Sequence, residues 1–440
     1  MRTLEGRSAE SRLKLLERRI RADRATGFVP VGTGEVNNHI HTRYSFSPYT
    51  PTEAAYAAWR AGLGAAGIID HESVSGCSEM LRAGKRLGLA ITAGCELRAR
   101  AHGTAMEGRR INNPDSLGIL YMVLHGIPHQ HLGKVDNYLK PIRKSRYRRM
   151  KEQVGTLNGI LIEASLPALD FDSEVVALSM SDEGGSITER HILFALAKKM
   201  SRVFGRGEKL RATLKSSLGL SIPDAIVQRI SDQDNPHFLY DLLGLFKSFL
   251  VPLFFHQPDE NECPPVREVS ALARSIGAIP CYPYLGDVGE SSTGDKKTEA
   301  FEDSWLDELF DELPKLGFQA LSYMPPRNTL KQLARVKAKC VEKGLMEISG
   351  VDINSSRQSF RCPELSLREF SHLNDCGWAL IAHEHLASAG GSGLFDPSSF
   401  LRDEPLNYRL DVYARMGRSM DPTHPESIID AARKEGIWTE

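Results

Sequence analysis

The sequence predicts an α/β fold, either a parallel sheet or an α/β barrel, interrupted by a helical insertion. Short apolar runs alternate with amphipathic segments from residue 36 to about 128 and again from about 250 to 360. Several of those runs end on His, Asp or Glu, and a mostly helical stretch of different pattern separates the two blocks. At 440 residues, one barrel with an insertion could use the whole chain. Hydrophobic residues make up 41% and charged residues 25%, which suits a folded chain with a sizeable core. The formal net charge of −1 supplies no global field toward nucleic acid or anionic lipid, so binding of either would need a local patch.

Residues 8–24 place Leu13, Leu15, Leu16 and Ile20 among Arg and Glu, the pattern of an amphipathic packing helix within an N-terminal extension over 1–35. The first half of the barrel spans 36–129. Its strands are expected at Val36–Ile40, Ala65–Ile69, Ala90–Ala93 and Leu117–Leu124, with helices at Thr52–Gly62 and Ser75–Leu87. Residues 130–249 read as an inserted helical subdomain. The second half covers 250–360, with strands at Phe249–Phe255, Ala278–Tyr282, Ala320–Tyr323 and Met346–Gly350. Its helices fall at Pro265–Ile276, 301–316 and Thr329–Lys343, and 361–440 forms a C-terminal extension packing on the barrel.

The seven cysteines form no CxxC pair, and their odd number suits a reducing compartment. The N-terminus is too charged for a signal peptide, and the most apolar runs are too short to span a bilayer, so a cytoplasmic protein is expected without a membrane partner. The sequence carries no signal of an oligomeric state. It also lacks a GxxxxGK[ST] loop, a strand-borne dinucleotide fingerprint and a GxSxG elbow.

The chemistry gathers at strand ends. His39 and His41 lie two apart, so on a strand both imidazoles point to one side, where they can share a metal ion. Asp70 and His71, then Glu96, then His125, then Asp352 close four further apolar runs. Each alone reads as an ordinary polar residue at a strand–loop junction. Together, on a barrel that brings strand ends to one face, they form the mixed imidazole and carboxylate set that hydrolytic metal sites use. Arg98 and Arg357, each just beyond one of these motifs, could contact a phosphoryl oxygen or instead form surface ion pairs. Asp70 could orient an imidazole from behind. The basic run KPIRKSRYRRMK at 140–151 could meet a phosphate backbone or an anionic substrate tail, or could be a solvated helix face. Nucleic acid is the less favoured partner.

The stretches NHIHTRYSF at 38–46, IIDHESVSG at 68–76, AGCELR at 93–98 and ISGVDINSSRQSF at 348–360 resemble the PHP (polymerase and histidinol phosphatase) superfamily of metal-dependent phosphoesterases. Looser likeness runs through IGAIPCYPY at 276–284 and through 317–346. The resemblance implies a distorted (β/α)7 TIM-like barrel with a helical insertion and divalent ions (Mn, Zn or Fe) at its C-terminal face. By position, His39, His41, Glu96 and Asp352 would hold one ion firmly. Glu96 and His125 would hold a second, looser one, and His71 would belong to a third. The chain departs from the family where Tyr282-Pro283 replaces a His-Pro pair and where Asp352-Ile353-Asn354 replaces Asp-x-His. His383 and His385 in HEH could supply replacement imidazoles if that segment is extended, or could be loop residues near Trp378. The implied activity is hydrolysis of a phosphomonoester or nucleotide-type ester by metal-activated water. A metal hydrolase of C–N bonds and a binding module with a degraded site are the alternatives.

Overall fold

The computed structural model describes residues 8–287 and 300–438; parts of the expected divisions at 1–7, 288–299 and 439–440 lie outside the described residues. Strands β1 (Val36–Ile40), β2 (Ala65–His71), β3 (Ala90–Arg100), β4 (Ile119–His125), β5 (Ile279–Pro283), β6 (Ala320–Tyr323) and β7 (Met346–Ser349) form one sheet in sequence order. The sheet closes on itself. Ile40 bridges Ile353 just beyond β7, His41 N–H donates to the Ile353 carbonyl at 3.1 Å, and Ile353 N–H donates to the His39 carbonyl at 3.2 Å. Gly350 makes that approach possible, because a Cβ there would lie 2.5 Å from the Cβ of His39. The result is a distorted seven-stranded α/β barrel. β2 and β3 are buried along nearly their whole length, as strands covered on both faces must be.

Two expectations are corrected. The sheet is mixed rather than parallel, since β4 runs antiparallel to both β3 and β5. Phe249–Phe255 is not a strand. It ends a long helix whose Leu250, Val251 and Phe254 are buried, and a short apolar run does not distinguish a strand from a buried helix.

The helices are α1 (Ala9–Ala25), α2 (Pro51–Arg60), α3 (Cys77–Leu87), α4 (Leu132–Glu163), α5 (Glu189–Phe204), α6 (Glu208–Leu218) and α7 (Asp224–Ser231). They continue with α8 (Phe238–Phe254), α9 (Val266–Ser275), α10 (Leu306–Glu312), α11 (Leu330–Lys343), α12 (His372–Ser388), α13 (Leu406–Ser419) and α14 (Ile428–Lys434). Thr50 caps α2 and Thr329 caps α11, each in a box with a Glu or Gln three residues on. Helices α4 to α8 pack around their own apolar cluster, which includes Leu157, Leu196, Phe238 and Phe246. α12 passes the amino ends of β1 to β3: Gly377 abuts Val36, and Trp378 abuts Gly64. Among the described residues, no helix is long and apolar enough to cross a membrane.

His191 shows how the insertion depends on pH. Its Nδ1 accepts the Thr188 N–H at 3.0 Å at the start of α5, and its ring packs edge-on against Phe46. Burial, with some help from Arg146, pushes its pKa down to about 3. The folded state therefore favours the neutral ring, and its contribution is lost as pH falls below the unfolded value near 6.5. By pH 4.5 the cost is about 2–3 kcal/mol. Chemical denaturation across pH 7 to 4.5 should show a shallower loss of stability for His191→Asn than for wild type. Equal slopes would remove His191 as a cause.

Candidate metal centre

β1 delivers His39 and His41 to the mouth of the barrel, β2 delivers His71, β3 Glu96, β4 His125, and the turn after β7 Asp352. The Nε2 atom of His41 lies 3.2 Å from Asp352 Oδ1 and 3.9 Å from Glu96 Oε2. His39 Nε2 is 3.8 Å from the same Glu96 oxygen, and His71 Nδ1 is 3.2 Å from it. Ligand atoms of His39, His41 and Asp352 fall within 4.8 Å of one another, as do those of His41, His71 and Glu96. His71 thus stands beside His41 and Glu96. His125 lines the same cavity of about 200 Å³. On the register, Val123 is opposite Glu96, so His125, two residues on, shares the face of Glu96 one step deeper.

The donor chemistry fits a divalent ion. The ring nitrogens of His125 and the Nδ1 of His71 are buried without a hydrogen-bond partner, a costly state for polar atoms. His71 Nδ1 and Glu96 Oε2 are close but out of line for a hydrogen bond, as ligands turned toward a shared point would be. Burial, with His39 nearby, pushes His125 down to about 3. Burial also holds His71 well below its ordinary range, reinforced by His41, Arg146 and Arg98. Both rings are thus neutral and carry lone pairs. Burial opposes charging of His41, but Asp352, Glu96 and Asp70 outweigh it and raise its pKa.

Behind His41 stands Asp70. It accepts the Thr42 N–H at 2.7 Å, the Thr42 hydroxyl at 2.6 Å and the Ser45 hydroxyl at 2.6 Å, and Ser45 Oγ contacts His41 Nδ1 at 3.3 Å. Asp70 therefore positions His41 through Ser45 and does not face the cavity. Asp70→Asn would force an amide N–H against one of those donors and loosen the ring. Metal affinity is expected to fall about 10–100-fold, read by chelator competition. Unchanged affinity would make Asp70 a structural residue only. Glu72, next to His71, has φ 46°, a strained backbone for a residue with a side chain. Its N–H donates to the Glu96 carbonyl at 2.7 Å, and its carboxylate takes Arg146 and the Ser186 hydroxyl.

Four sequence expectations are corrected. Arg98 does not face a substrate: its guanidinium is spent on Tyr121, on Glu262 at 3.1 Å and on Glu189 at 3.4 Å. Arg357 is clamped by Asp241 at 2.5 and 2.6 Å. Within the basic run on α4, Arg146 and Arg149 are not free to meet a phosphate, being buried against Glu72, Glu189 and Glu262, while Lys140, Lys144, Arg148 and Lys151 are exposed. Finally, HEH lies on helix α12, so His383 and His385 do not share a side; neither lines the cavity. Tyr282 is also turned away, donating to Glu302 at 2.8 Å and packing on Phe318. Asn354 does line the cavity and donates to Asp352 at 2.6 Å.

Sequence reading missed Arg190, at the start of α5, and Lys247, on α8. Both line the same cavity as His39, His71 and His125. No spacing rule marks them, since they lie in the insertion and meet the barrel only in three dimensions.

No family model matches the sequence, and no curated protein matches it. Among solved structures, a Bifidobacterium adolescentis protein assigned as a metal-dependent phosphoesterase aligns with 78% of this chain and 96% of its own, at 17% identity and a TM-score of 0.49. An amidohydrolase from Chromobacterium violaceum, with bound sulfate and no metal, aligns over the same shares at 17% identity and a TM-score of 0.46. Both likenesses concern the path of the chain, and the candidate centre stands on its own residues.

Proposed function

We propose that the chain is a metal-dependent phosphoesterase acting on a small phosphorylated substrate, with Mn, Zn or Fe held among His39, His41, His71, Glu96, His125 and Asp352. The carrying observation is one cavity lined both by imidazole and carboxylate donors and by the cations Arg190 and Lys247. When bound, ions of this class polarise a phosphoryl oxygen and make water nucleophilic at neutral pH. Glu96 draws His39, His41 and His71 toward one oxygen. Asp70, through Ser45, fixes the ring of His41. Arg190 and Lys247 supply positive charge to hold an anionic ester against the donors. The proposed setting is cytoplasmic, where buried and unpaired cysteines such as Cys77 and Cys95 are stable.

The test uses chelator-stripped protein with Mn, Zn or Fe restored singly, assayed on p-nitrophenyl phosphate, bis-p-nitrophenyl phosphate and simple amides. Hydrolysis of a phosphate ester that returns with metal is expected. Amide hydrolysis without phosphate hydrolysis would replace this reading with that of a C–N hydrolase. Arg190→Ala should raise KM for the ester about 10–100-fold with a smaller change in kcat, the value of one charge-assisted contact. An unchanged KM would separate Arg190 from the substrate.

A further inference from the structure

We infer that His129, Glu384 and His385 form a second divalent-metal site, of the zinc class, where α12 meets β3 and the turn after β4. One ligand atom from each of the three residues lies within 4.8 Å of the others. None of them lines the cavity that holds His39 and Glu96, so this site is separate from the proposed catalytic centre.

Each residue is held as a ligand should be. Glu384 is fully buried, and its Oε2 accepts the Ala93 N–H at 2.7 Å. Its Oε1 faces His129 Nε2 at 2.9 Å. His385 donates from Nε2 to the Ile91 carbonyl at 3.0 Å, which leaves the lone pair on Nδ1. A ring nitrogen donating to a backbone carbonyl is the usual support for a metal-binding imidazole. The backbone of His129 is fixed as well: its N–H donates to Ser388 Oγ at 3.0 Å, and that hydroxyl donates to the Glu384 carbonyl at 2.7 Å.

Access and charge agree with this assignment. The His129 side chain is 34% exposed, and with His385 it walls a cavity of about 180 Å³ that also touches Ile91, Leu81 and Met420. The two imidazoles open onto that cavity, and Glu384 lies behind them. Two imidazoles and one carboxylate with an open position form a set that zinc accepts. The buried Glu384 carboxylate is stabilised by a cationic partner, a role that His129 fills at 2.9 Å when protonated. An ion would serve at any pH where the imidazoles are neutral, and it would tie α12 to β3 and β4.

The test titrates zinc into chelator-stripped full-length protein carrying His39→Ala and His41→Ala, with calorimetry and elemental analysis. About one equivalent per chain should remain bound and raise the thermal midpoint, and adding His129→Ala should remove both effects. Because His129 is also the side-chain partner of buried Glu384, His129→Gln is the second variant. It can still donate to Glu384 but offers no imidazole, and it should lose the zinc as His129→Ala does, with the fold of both checked by circular dichroism. Either substitution in the otherwise wild-type chain should lower the zinc content by about one per chain, which keeps the test decisive if the double variant folds poorly. Zinc content and midpoint insensitive to His129→Ala would overturn the second site. Phosphoester hydrolysis plays no part in these readings, so failure here and failure of the catalytic reading are distinguishable.

Discussion

Glu96→Gln is expected to lower phosphoester hydrolysis by about three orders of magnitude and to strip metal from the protein. One oxygen of Glu96 lies 3.8 Å from His39, 3.9 Å from His41 and 3.2 Å from His71, so it is the donor common to three imidazoles. The amide keeps the shape of the side chain but replaces an anionic oxygen with a neutral group, half of which is an N–H donor. An N–H turned toward His71 Nδ1 could satisfy that nitrogen, so the variant should fold and could even gain stability. That opposite movement of stability and activity separates a ligand from a packing residue. Parallel measurements of kcat/KM, bound metal and urea midpoint decide it. Retained metal with full activity would remove Glu96 from the centre, and with it the proposed reaction.

The part of this site that could be read from sequence is the part governed by local periodicity. His39 and His41 lie two apart at a strand end, and the strand's two-residue repeat puts them on one side. His71 and Glu96 were legible because Ala65–Ile69 and the run from Ala90 are continuous apolar stretches that end in polar residues. The strand bearing Glu96 extends to Arg100, beyond its apolar start, because its later residues pair with β4. The direction of β4 was not legible, since alternation is the same read forward or backward. Likewise the HEH motif has one reading on a strand and another on a helix, and only the packing of α12 against β1, β3 and β7 decides.

Charge was misread for a different reason. Arg98, Arg146 and Arg149 look like anion-binding residues because their partners are remote in sequence. Glu262 lies 164 residues from Arg98 and 113 from Arg149. Arg190 and Lys247, which do line the cavity, sit among many similar cations of the insertion with nothing local to distinguish them.

The long-range pairing leads to the largest expected loss of stability. Glu262 is 1% exposed and accepts from Arg149 Nε and Nη2 at 2.6 Å each and from Arg98 Nη1 at 3.1 Å. Glu189 joins the same arginines and Arg146, and Glu72 takes Arg146, so three carboxylates balance three buried guanidiniums across β3, α4, α5 and the loop before α9. Truncation in Glu262→Ala leaves Arg98 and Arg149 with one fewer anion in a site that water reaches poorly. The expected cost is about 3–5 kcal/mol, the range for breaking a buried pair from one side. The damage should spread, because Glu189 begins α5 and its neighbour Arg190 lines the cavity: KM for the phosphoester should rise along with the loss of stability. The added substitution Arg149→Met tests the cause, since it removes the stranded charge while keeping an apolar side chain of similar length. The double variant should recover part of the stability lost by Glu262→Ala, and denaturant midpoints of the four proteins in the cycle measure that recovery. If Glu262→Ala costs less than about 1 kcal/mol, or if Arg149→Met deepens the loss additively, the network is not what seats the insertion over the barrel.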